Sequence, residues 1–341
     1  MAETLSKEIH LKNRPVGLPS ISDFEIAQVP IPNPGPGQVL VRNIYMSVDP
    51  YMRGLLRERE GYIPSVQLGQ PLTGVCAGQV IRSNNEQFPL GVYVTSFLGW
   101  REYYISDGSE LTIIDSNMAP IQSFLGTVGI PGLTAYIGLL DIGELQEGDN
   151  VFISAASGAV GTVACQIAKI KGCRVVGSAG SDEKVDWLLS EAGIDAAFNY
   201  KQVKDLNVEL AKHFPEGIDL YFDNVGGTHL EAAIYNMNEL GRIVLCGMIS
   251  KYNATEPMPG PINLSYATDR SLTLKGFIIL DHLDRMPQFY NDMESWIAEG
   301  KIKWRETILE GIENAPKAFI GLFQGDNIGK MLVKIGPDPA V

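Results

Sequence analysis

Residues 151–169, VFISAASGAVGTVACQIAK, constrain the fold more than any other part of the chain. A short β-branched run breaks into small and glycine residues and then takes the apolar spacing of a helix. Ala156, Gly158 and Gly161 have the spacing G-x-G-x-x-G, which permits a tight turn, close approach of backbone to a pyrophosphate, and close packing of helix on strand. The segment therefore predicts a strand, a phosphate-binding turn and a helix whose free amides meet the phosphates.

A glycine-rich turn alone is weak evidence, because such turns join strands to helices in many proteins that bind no nucleotide. The surrounding sequence adds to it. Residues 173–177 follow at the distance expected of a second strand, and residues 243–247 are typical of a later one. This βαβ spacing predicts a dinucleotide-binding domain.

The end of the second predicted strand distinguishes NADP from NAD. In an NAD site this strand usually ends in a carboxylate that holds both ribose hydroxyls, whereas residues 178–180 here are Ser-Ala-Gly. Ser181 and Lys184 lie just beyond and could contact a 2′-phosphate, which favours NADP. Asp182 or Glu183 could instead bind a ribose if the strand ended later. The same segment is also typical of a capped helix start.

The composition predicts a folded protein with two domains. The 341 residues are too many for one typical core, and a hydrophobic fraction of 45% with a charged fraction of 20% excludes a disordered chain. The net charge of −13 opposes binding to nucleic acids and anionic membranes. An anionic ligand must therefore be held by a local site.

The terminus and the cysteines indicate the compartment. Residues 1–15 lack the apolar core and basic flank of a signal peptide, and no run has the length of a membrane span. The four cysteines are scattered in apolar contexts and predict reduced thiols rather than a disulfide framework. These observations predict a cytoplasmic protein.

Three regions follow one another along the chain. Residues 1–125 have short strand-like runs punctuated by Pro and Gly, which predict a β-rich domain. Residues 126–296 alternate strand and helix patterns, which predict a doubly wound parallel sheet. Residues 297–341 contain short strand-like runs that would rejoin the first domain. We therefore expect an α/β fold, with a substrate cleft between the two domains.

Seven short segments occur in a fixed order. They are SVDPYMR at 47–53, ASGAVG at 156–161, GSDEK at 180–184, FNYK at 198–201, FDNVGG at 222–227, CGMIS at 246–250 and GDNIGK at 325–330. Together they resemble the medium-chain dehydrogenases and reductases, and specifically the zinc-independent branch of prostaglandin reductases, plant alkenal double-bond reductases and bacterial curcumin reductases. The resemblance runs through nearly the whole chain.

The resemblance implies a GroES-like catalytic domain formed by both chain ends, a Rossmann domain between them, and a homodimer. It also implies reduction by NADPH of the carbon–carbon double bond of α,β-unsaturated ketones and aldehydes. The cofactor residues it implies are Gly158, Ala159, Val160 and Gly161 for the pyrophosphate; Lys184 and Tyr200 for the 2′-phosphate; Asn224, Cys246, Gly247, Met248, Ile249, Ser250, Lys251, Tyr252, Phe277, Ile278 and Ile279 for the nicotinamide half; and Asn327 from the tail.

Zinc ligands are missing where the zinc-bearing relatives have them. Those relatives carry a Gly-His-Glu segment where this chain has residues 68–74, and a cysteine ligand near residues 45–49. No His, Cys pair or Cys-x-x-Cys cluster lies nearby to form a tetrahedral site, and the four histidines are dispersed. We therefore expect no metal, and we expect hydrogen-bond donors to polarise the substrate carbonyl.

Two tyrosines are candidates for catalysis. Hydride transfer to the β-carbon of an enone would develop negative charge on the carbonyl oxygen as an enolate, so a donor aimed at that oxygen would contribute most. Tyr252 is the first candidate, together with the nicotinamide ribose hydroxyl, and its phenol could also help to return a proton to the α-carbon. Tyr51 is the second candidate and is more typical of a wall of the substrate slot. Arg53 fits a structural ion pair equally well.

Two other functions remain open. One is a quinone reductase of the same superfamily, and the other is an NADPH-binding protein without activity, because this fold has been reused for binding roles. Residues 49–53 and 222–227 favour the double-bond reductases. The loops at 55–65 and 253–266, which would shape the cleft, have no periodicity, so a small alkenal, a long fatty enone and a diarylheptanoid all remain candidate substrates.

Overall fold

The computed structural model describes residues 4–58, 61 and 63–338. The chain divides into two compact units. One unit, called the β-rich unit, contains the residues up to 126 and those from 306 onward. The other, called the Rossmann unit, contains residues 127–305. Both chain ends therefore contribute to one unit, as the sequence predicts.

Regular elements are spread along the whole described chain. Its strands are β1 (Thr4–Leu11), β2 (Phe24–Ile31), β3 (Val39–Ser47), β4 (Cys76–Ser83), β5 (Tyr93–Ser96), β6 (Tyr103–Ser106), β7 (Thr112–Ile113), β8 (Asn150–Ile153), β9 (Arg174–Ala179), β10 (Ala196–Asn199), β11 (Ile218–Asp223), β12 (Met237–Leu245), β13 (Thr273–Gly276), β14 (Glu306–Glu310) and β15 (Lys330–Lys334). Its helices are α1 (Met52–Leu55), α2 (Ile130–Ile137), α3 (Ala159–Ile170), α4 (Asp182–Ser190), α5 (Leu206–His213), α6 (Gly227–Asn236), α7 (Ser265–Asp269), α8 (Met286–Ala298) and α9 (Ala315–Gln324). None of these helices is both long and apolar enough to cross a membrane.

Six parallel strands form the sheet of the Rossmann unit, in the order β10-β9-β8-β11-β12-β13. Numbered from β8, this order is 3-2-1-4-5-6, which is that of a dinucleotide-binding sheet. Val151, Phe152 and Ile153 of β8 are fully buried, as expected of a parallel strand covered on both faces. The sheet confirms the predicted doubly wound α/β class.

The neighbouring strands β8 and β11 mark the point where the strand order reverses. Ligands of open α/β sheets bind outside the carboxyl ends of the strands at this point. Helix α3, which follows β8, has residues 161–168 buried, so its packing fixes the helix start against the strand end. The fold thus brings the predicted turn to the expected binding crevice.

The β-rich unit contains a seven-stranded sheet and the two-stranded sheet of β1 and β2. In the larger sheet the order is β14-β15-β3-β4-β5-β7, with β6 also paired to β3. Strand β15 from the tail runs antiparallel to β3, with Leu332 opposite Ser47. The rings of Phe24, Trp100 and Phe319 pack with centroids 6.1 to 6.4 Å apart. Residues distant in sequence therefore share one core.

The return of the chain to the β-rich unit begins later than the sequence suggests. The sequence places the return segment at 297–341, whereas residues 297–305 lie in the Rossmann unit. Gln166 of α3 donates to Lys303 O at 2.8 Å and accepts from Lys303 N at 2.7 Å, and Ile302 is buried. These main-chain hydrogen bonds attach the segment to α3, and the apolar pattern carries no signal for them.

Candidate functional site

The turn between β8 and α3 contains residues 154–158. The sequence pattern places the tight turn at Ala156, but the structure places it one residue earlier. Ala155 has a φ of +48°, in the left-handed region, and its carbonyl oxygen accepts from Gly158 N at 2.9 Å. Ala156 is fully buried, with its amide donating to Ser178 O at 2.9 Å. Its small side chain serves packing against the second strand.

Glycines allow α3 to begin directly against this turn. A methyl group at Gly161 would lie 2.3 Å from Ala155 O, so a larger residue would displace the helix. The N-cap, Gly158, has no side chain that could bond the first amides of the helix, which have no partner inside an α-helix. The amides of Ala159, Val160 and Gly161 therefore have no acceptor inside the helix, and this donor set fits a pyrophosphate.

Ser181, Lys184 and Tyr200 follow the ends of the neighbouring strands β9 and β10. Ser181 caps α4 and accepts from Lys184 N at 3.4 Å, and the Lys184 side chain is buried. The Tyr200 hydroxyl lies beside Gly180, where an added methyl group would be 3.3 Å from it. A lysine and a hydroxyl at adjacent strand ends have the chemistry to bind a 2′-phosphate.

The two acids that could instead bind a ribose have partners in the protein. Asp182 accepts from Asn199 at 2.8 Å and from Gln202 at 3.0 Å, and these hydrogen bonds lower the pKa of its carboxyl. Glu183 lies 3.0 Å from the guanidinium of Arg305. Both carboxylates are therefore engaged on the surface of α4, which strengthens the charge argument for NADP.

A buried polar network, which the sequence analysis did not identify, links the ends of β8 and β11. Tyr221 donates from its hydroxyl to Asp223 Oδ1 at 2.6 Å, and two amides of the following turn donate to the same oxygen at 2.8 and 2.9 Å. Asn224 donates from its amide N to Ser154 Oγ at 3.0 Å and from its side chain to Ser154 O at 2.8 Å. Burial raises the pKa of Asp223. The network fixes Asn224 at the end of β11, and the sequence signal for it is the FDNVGG segment.

The segment after β12 is attached to this network. The amide of Cys246 donates to Asp223 O at 3.0 Å, and the chain then forms a 3₁₀ turn at Ile249–Lys251. The hydroxyl oxygen of Tyr252 accepts from Met248 N at 3.3 Å. Tyr252 is thus folded back over its own loop, with its phenol oxygen held near the end of the strand.

The segment after β13 contains the last predicted cofactor residues of the Rossmann unit. The ring of Phe277 lies beside Gly138, where an added methyl group would be 3.2 Å from it, and 6.2 Å from the ring of His282. Ile278 is exposed, and Ile279 begins a 3₁₀ helix. Because β11, β12 and β13 are parallel neighbours, the segments that follow them lie along one edge of the sheet.

The other predicted site residues lie in the β-rich unit. Tyr51 precedes α1 and packs against the core of that unit. Asn327 donates from Nδ2 to Gly329 O at 2.7 Å, which braces the loop before β15. Arg53 is buried and donates to main-chain carbonyl oxygens. Its role is structural, through these carbonyl oxygens.

Among residues 4–58, 61 and 63–338, no group of three His, Cys, Asp or Glu side chains could hold a metal ion. His10 and His213 contact Glu8 and Glu209. His229 is buried, and burial lowers its pKa to about 4. The histidines of this part of the chain therefore pack or pair separately.

Comparison with known proteins gives the family. The model of the N-terminal domain of oxidoreductase matches residues 7–114, and the model described as zinc-binding dehydrogenase matches residues 159–299. The NADP⁺-dependent 2-alkenal reductase of Nicotiana tabacum is 43% identical, over 98% of this chain and 99% of that protein. Prostaglandin reductase 1 of Bos taurus is 45% identical, over 96% of this chain and 99% of that protein.

A solved structure agrees with these relatives. CurA from Vibrio vulnificus, in complex with NADPH, superposes with a TM-score of 0.92 at 41% identity, over 97% of this chain and 100% of that one. The order of strands, the glycine-containing turn after β8 and these full-length similarities agree with one another. The chain therefore belongs to the medium-chain dehydrogenase/reductase family, in the zinc-independent branch that contains the prostaglandin and 2-alkenal reductases.

Proposed function

We propose that this protein reduces the carbon–carbon double bond of α,β-unsaturated ketones and aldehydes. The observation that carries the proposal is the full-length similarity to a 2-alkenal reductase, in a chain whose Rossmann unit has the donors for a dinucleotide at the carboxyl edge of its sheet. The protein is an NADP-dependent oxidoreductase. The part of the proposal that needs a test is that the bond reduced is a conjugated carbon–carbon double bond.

Each part of the cofactor has proposed partners. The amides of residues 158–161 would bind the pyrophosphate. Ser181, Lys184 and Tyr200 would bind the 2′-phosphate, and the buried Lys184 would supply the charge. The nicotinamide half would be lined by Asn224, by residues 246–252 and 277–279, and contacted by Asn327.

The chain's own residues would stabilise charge and move a proton. Bound NADPH would supply the hydride that the β-carbon of the substrate receives. Tyr252 would donate its phenolic proton toward the carbonyl oxygen, where negative charge develops as an enolate. Its oxygen accepts from Met248 N at 3.3 Å, and this contact would polarise the phenol as a donor. Tyr51 would form a wall against the substrate.

The test is turnover of a medium-chain 3-alken-2-one with NADPH and, separately, with NADH. Loss of reduced cofactor is followed by absorbance, and the product is identified by mass spectrometry. A saturated ketone formed with strong preference for NADPH is the expected result. An allylic alcohol would instead assign the enzyme to carbonyl reduction.

The two open alternatives have distinct outcomes in the same assay. Oxidation of NADPH with quinones alone would assign a quinone reductase. Tight NADPH binding without turnover of enones, enals or quinones would assign a binding role. Either result contradicts the proposal.

We also propose that the chain forms a homodimer. Strand β13 lies at the end of the parallel sheet, and such an edge offers unpaired main-chain donors and acceptors to a second copy. Ile262 is 88% exposed, and Ile278, just after β13, is also exposed. Light scattering after gel filtration should give twice the chain mass; the mass of one chain would refute the dimer.

A further inference from the structure

A buried ammonium group joins the tail of the chain to the segment that precedes Tyr51. Lys330 is the first residue of β15, and its side chain is 5% exposed. Its Nζ donates to Val48 O and Met331 O, both at 2.9 Å, and lies 3.1 Å from the carboxylate of Asp49. An ammonium group has three donors, and these three acceptors match them.

Keeping a charge at this place works against folding. Burial lowers the pKa of Lys330, and Asp49 opposes that shift. Glu306, which faces Lys330 across the β14–β15 pair, acts in the same direction as Asp49, but Asp49 is the carboxylate at 3.1 Å from the ammonium. Replacing a buried ion pair by apolar residues is often neutral or stabilising. We therefore expect the pair to hold the main chain at residues 48 and 49 in position rather than to stabilise the fold.

The same segment is anchored at its other end. Arg53 is 1% exposed. Its guanidinium donates to Gly17 O at 2.8 Å and to Pro15 O at 3.1 Å. Tyr51 thus lies between two anchored points of the chain. Lys330 holds the residues just before it, and Arg53 lies two residues after it. Each cation holds main chain from a distant part of the β-rich unit, so neither anchor can move without breaking several hydrogen bonds.

Lys330 also follows directly on the loop that contains Asn327. That loop is closed by the hydrogen bond from Asn327 Nδ2 to Gly329 O. The register of β15 against β3 places the start of the tail strand beside residues 47–49. Because this loop is closed by its own hydrogen bond, the ammonium of Lys330 acts on residues 48 and 49 rather than on Asn327.

We propose that Lys330, paired with Asp49, is a positioning residue that fixes the main chain before Tyr51 and so sets the place of the unsaturated substrate. This inference rests on the proposed function, because Tyr51 is assigned to the substrate wall there. The cation does not contact the reacting atoms; it acts through the segment that it holds.

The test uses the double variant Lys330→Met/Asp49→Asn, which removes both charges of the pair. The matched control is Lys334→Met, on the same strand, whose ammonium lies 4.0 Å from Glu310. For each protein we would measure kcat and KM with the enone, the Kd of NADPH, and amide hydrogen exchange of peptides spanning residues 47–56. The double variant should lose about tenfold or more in kcat/KM, the scale expected of a lost positioning contact, with faster exchange at 48–56 and unchanged Kd. The control should match the wild type.

Unchanged kcat/KM or unchanged exchange at 48–56 in the double variant would overturn the positioning role. A parallel loss of NADPH binding would also overturn it, since the effect would then be general. Should the double variant not fold, the single variant Asp49→Asn is used, because it keeps both carbonyl partners of Lys330. Impaired turnover with intact NADPH binding would support the positioning role. Wild-type turnover would overturn it. A wild-type protein that reduces no enone would refute the proposed function, and the exchange measurement then tests positioning by itself.

Discussion

Tyr252 is the residue on which the proposed chemistry depends most. Its oxygen accepts from Met248 N and lies 3.3 Å from the place that a methyl group on Gly247 would take. We expect Tyr252→Phe to lower kcat with an enone about 100-fold, because one lost donor to a developing oxyanion costs on that order. The Kd of NADPH should stay the same. Tyr235→Phe, at an exposed tyrosine of α6, is the control; full turnover by Tyr252→Phe would exclude the donor role.

The proposed role of Lys184 is to select NADPH over NADH. A hydrogen bond from a charged group contributes about 1.5–3 kcal/mol, so Lys184→Ala should weaken NADPH binding about 10- to 100-fold. NADH lacks the 2′-phosphate, so its Kd should not change. Titration of both cofactors by calorimetry measures this, with Lys212→Ala on the exposed side of α5 as control. Equal weakening of NADH and NADPH would show that Lys184 does not contact the 2′-phosphate.

His229 makes the folded state sensitive to acid. It is buried with its ring edge-on to Tyr200 at 5.1 Å, and burial lowers its pKa from 6.5 to about 4. The unfolded chain binds this proton near pH 6.5 and the folded chain only near pH 4, so stability is present above pH 6.5 and is lost as pH falls to 4. The loss is on the order of 3 kcal/mol. Urea unfolding of His229→Phe between pH 4 and 7 should lack this loss; the wild-type slope in the variant would contradict it.

The start of α3 is the element whose geometry the site needs most. Gly161→Ala would place a methyl group 2.3 Å from Ala155 O, so the helix must move away from the turn. We expect a loss of about 1–3 kcal/mol in the free energy of unfolding, as for other overpacked sites. NADPH binding should weaken as well, because the amides of the first turn move with the helix. Gly260→Ala, where an added methyl group meets no atom within 4 Å, should leave both unchanged.

Elements with a strong local pattern could be predicted from the sequence, whereas details set by distant contacts could not. Strand β8, the turn and α3 follow one another in the sequence, and their apolar spacing and glycines predict them directly. The left-handed residue at Ala155 could not be predicted, because alanine has no special preference for that conformation. The hydrogen bonds of Asn224 with Ser154 and of Lys330 with Val48 join residues distant in sequence, so no local pattern indicates them.

At the scale of the molecule, the sequence predicts that both chain ends form one unit. It does not predict the residue at which the chain returns from the Rossmann unit to the β-rich unit. The strand-like runs in the tail indicate β14 and β15, but no run indicates that β15 pairs with β3 and β14 with β15. Residues 297–305 belong with α3 because Gln166 bonds the main chain of Lys303. No pattern in the tail indicates these hydrogen bonds, so the sequence alone does not place the boundary.

Cofactor binding should stabilise the Rossmann unit more than the rest of the chain. A ligand that binds only the folded state adds about 2.7 kcal/mol at a concentration 100 times its Kd. The proposed partners of the pyrophosphate and the 2′-phosphate all lie in residues 127–305. We therefore expect NADPH to raise the midpoint of thermal unfolding in calorimetry, and to slow hydrogen exchange first at α3, α4 and the turn that contains Tyr200. NADH at the same concentration should do less, since it cannot use Lys184 through a phosphate. Equal shifts with the two cofactors would mean that the residues after β9 and β10 do not recognise the 2′-phosphate.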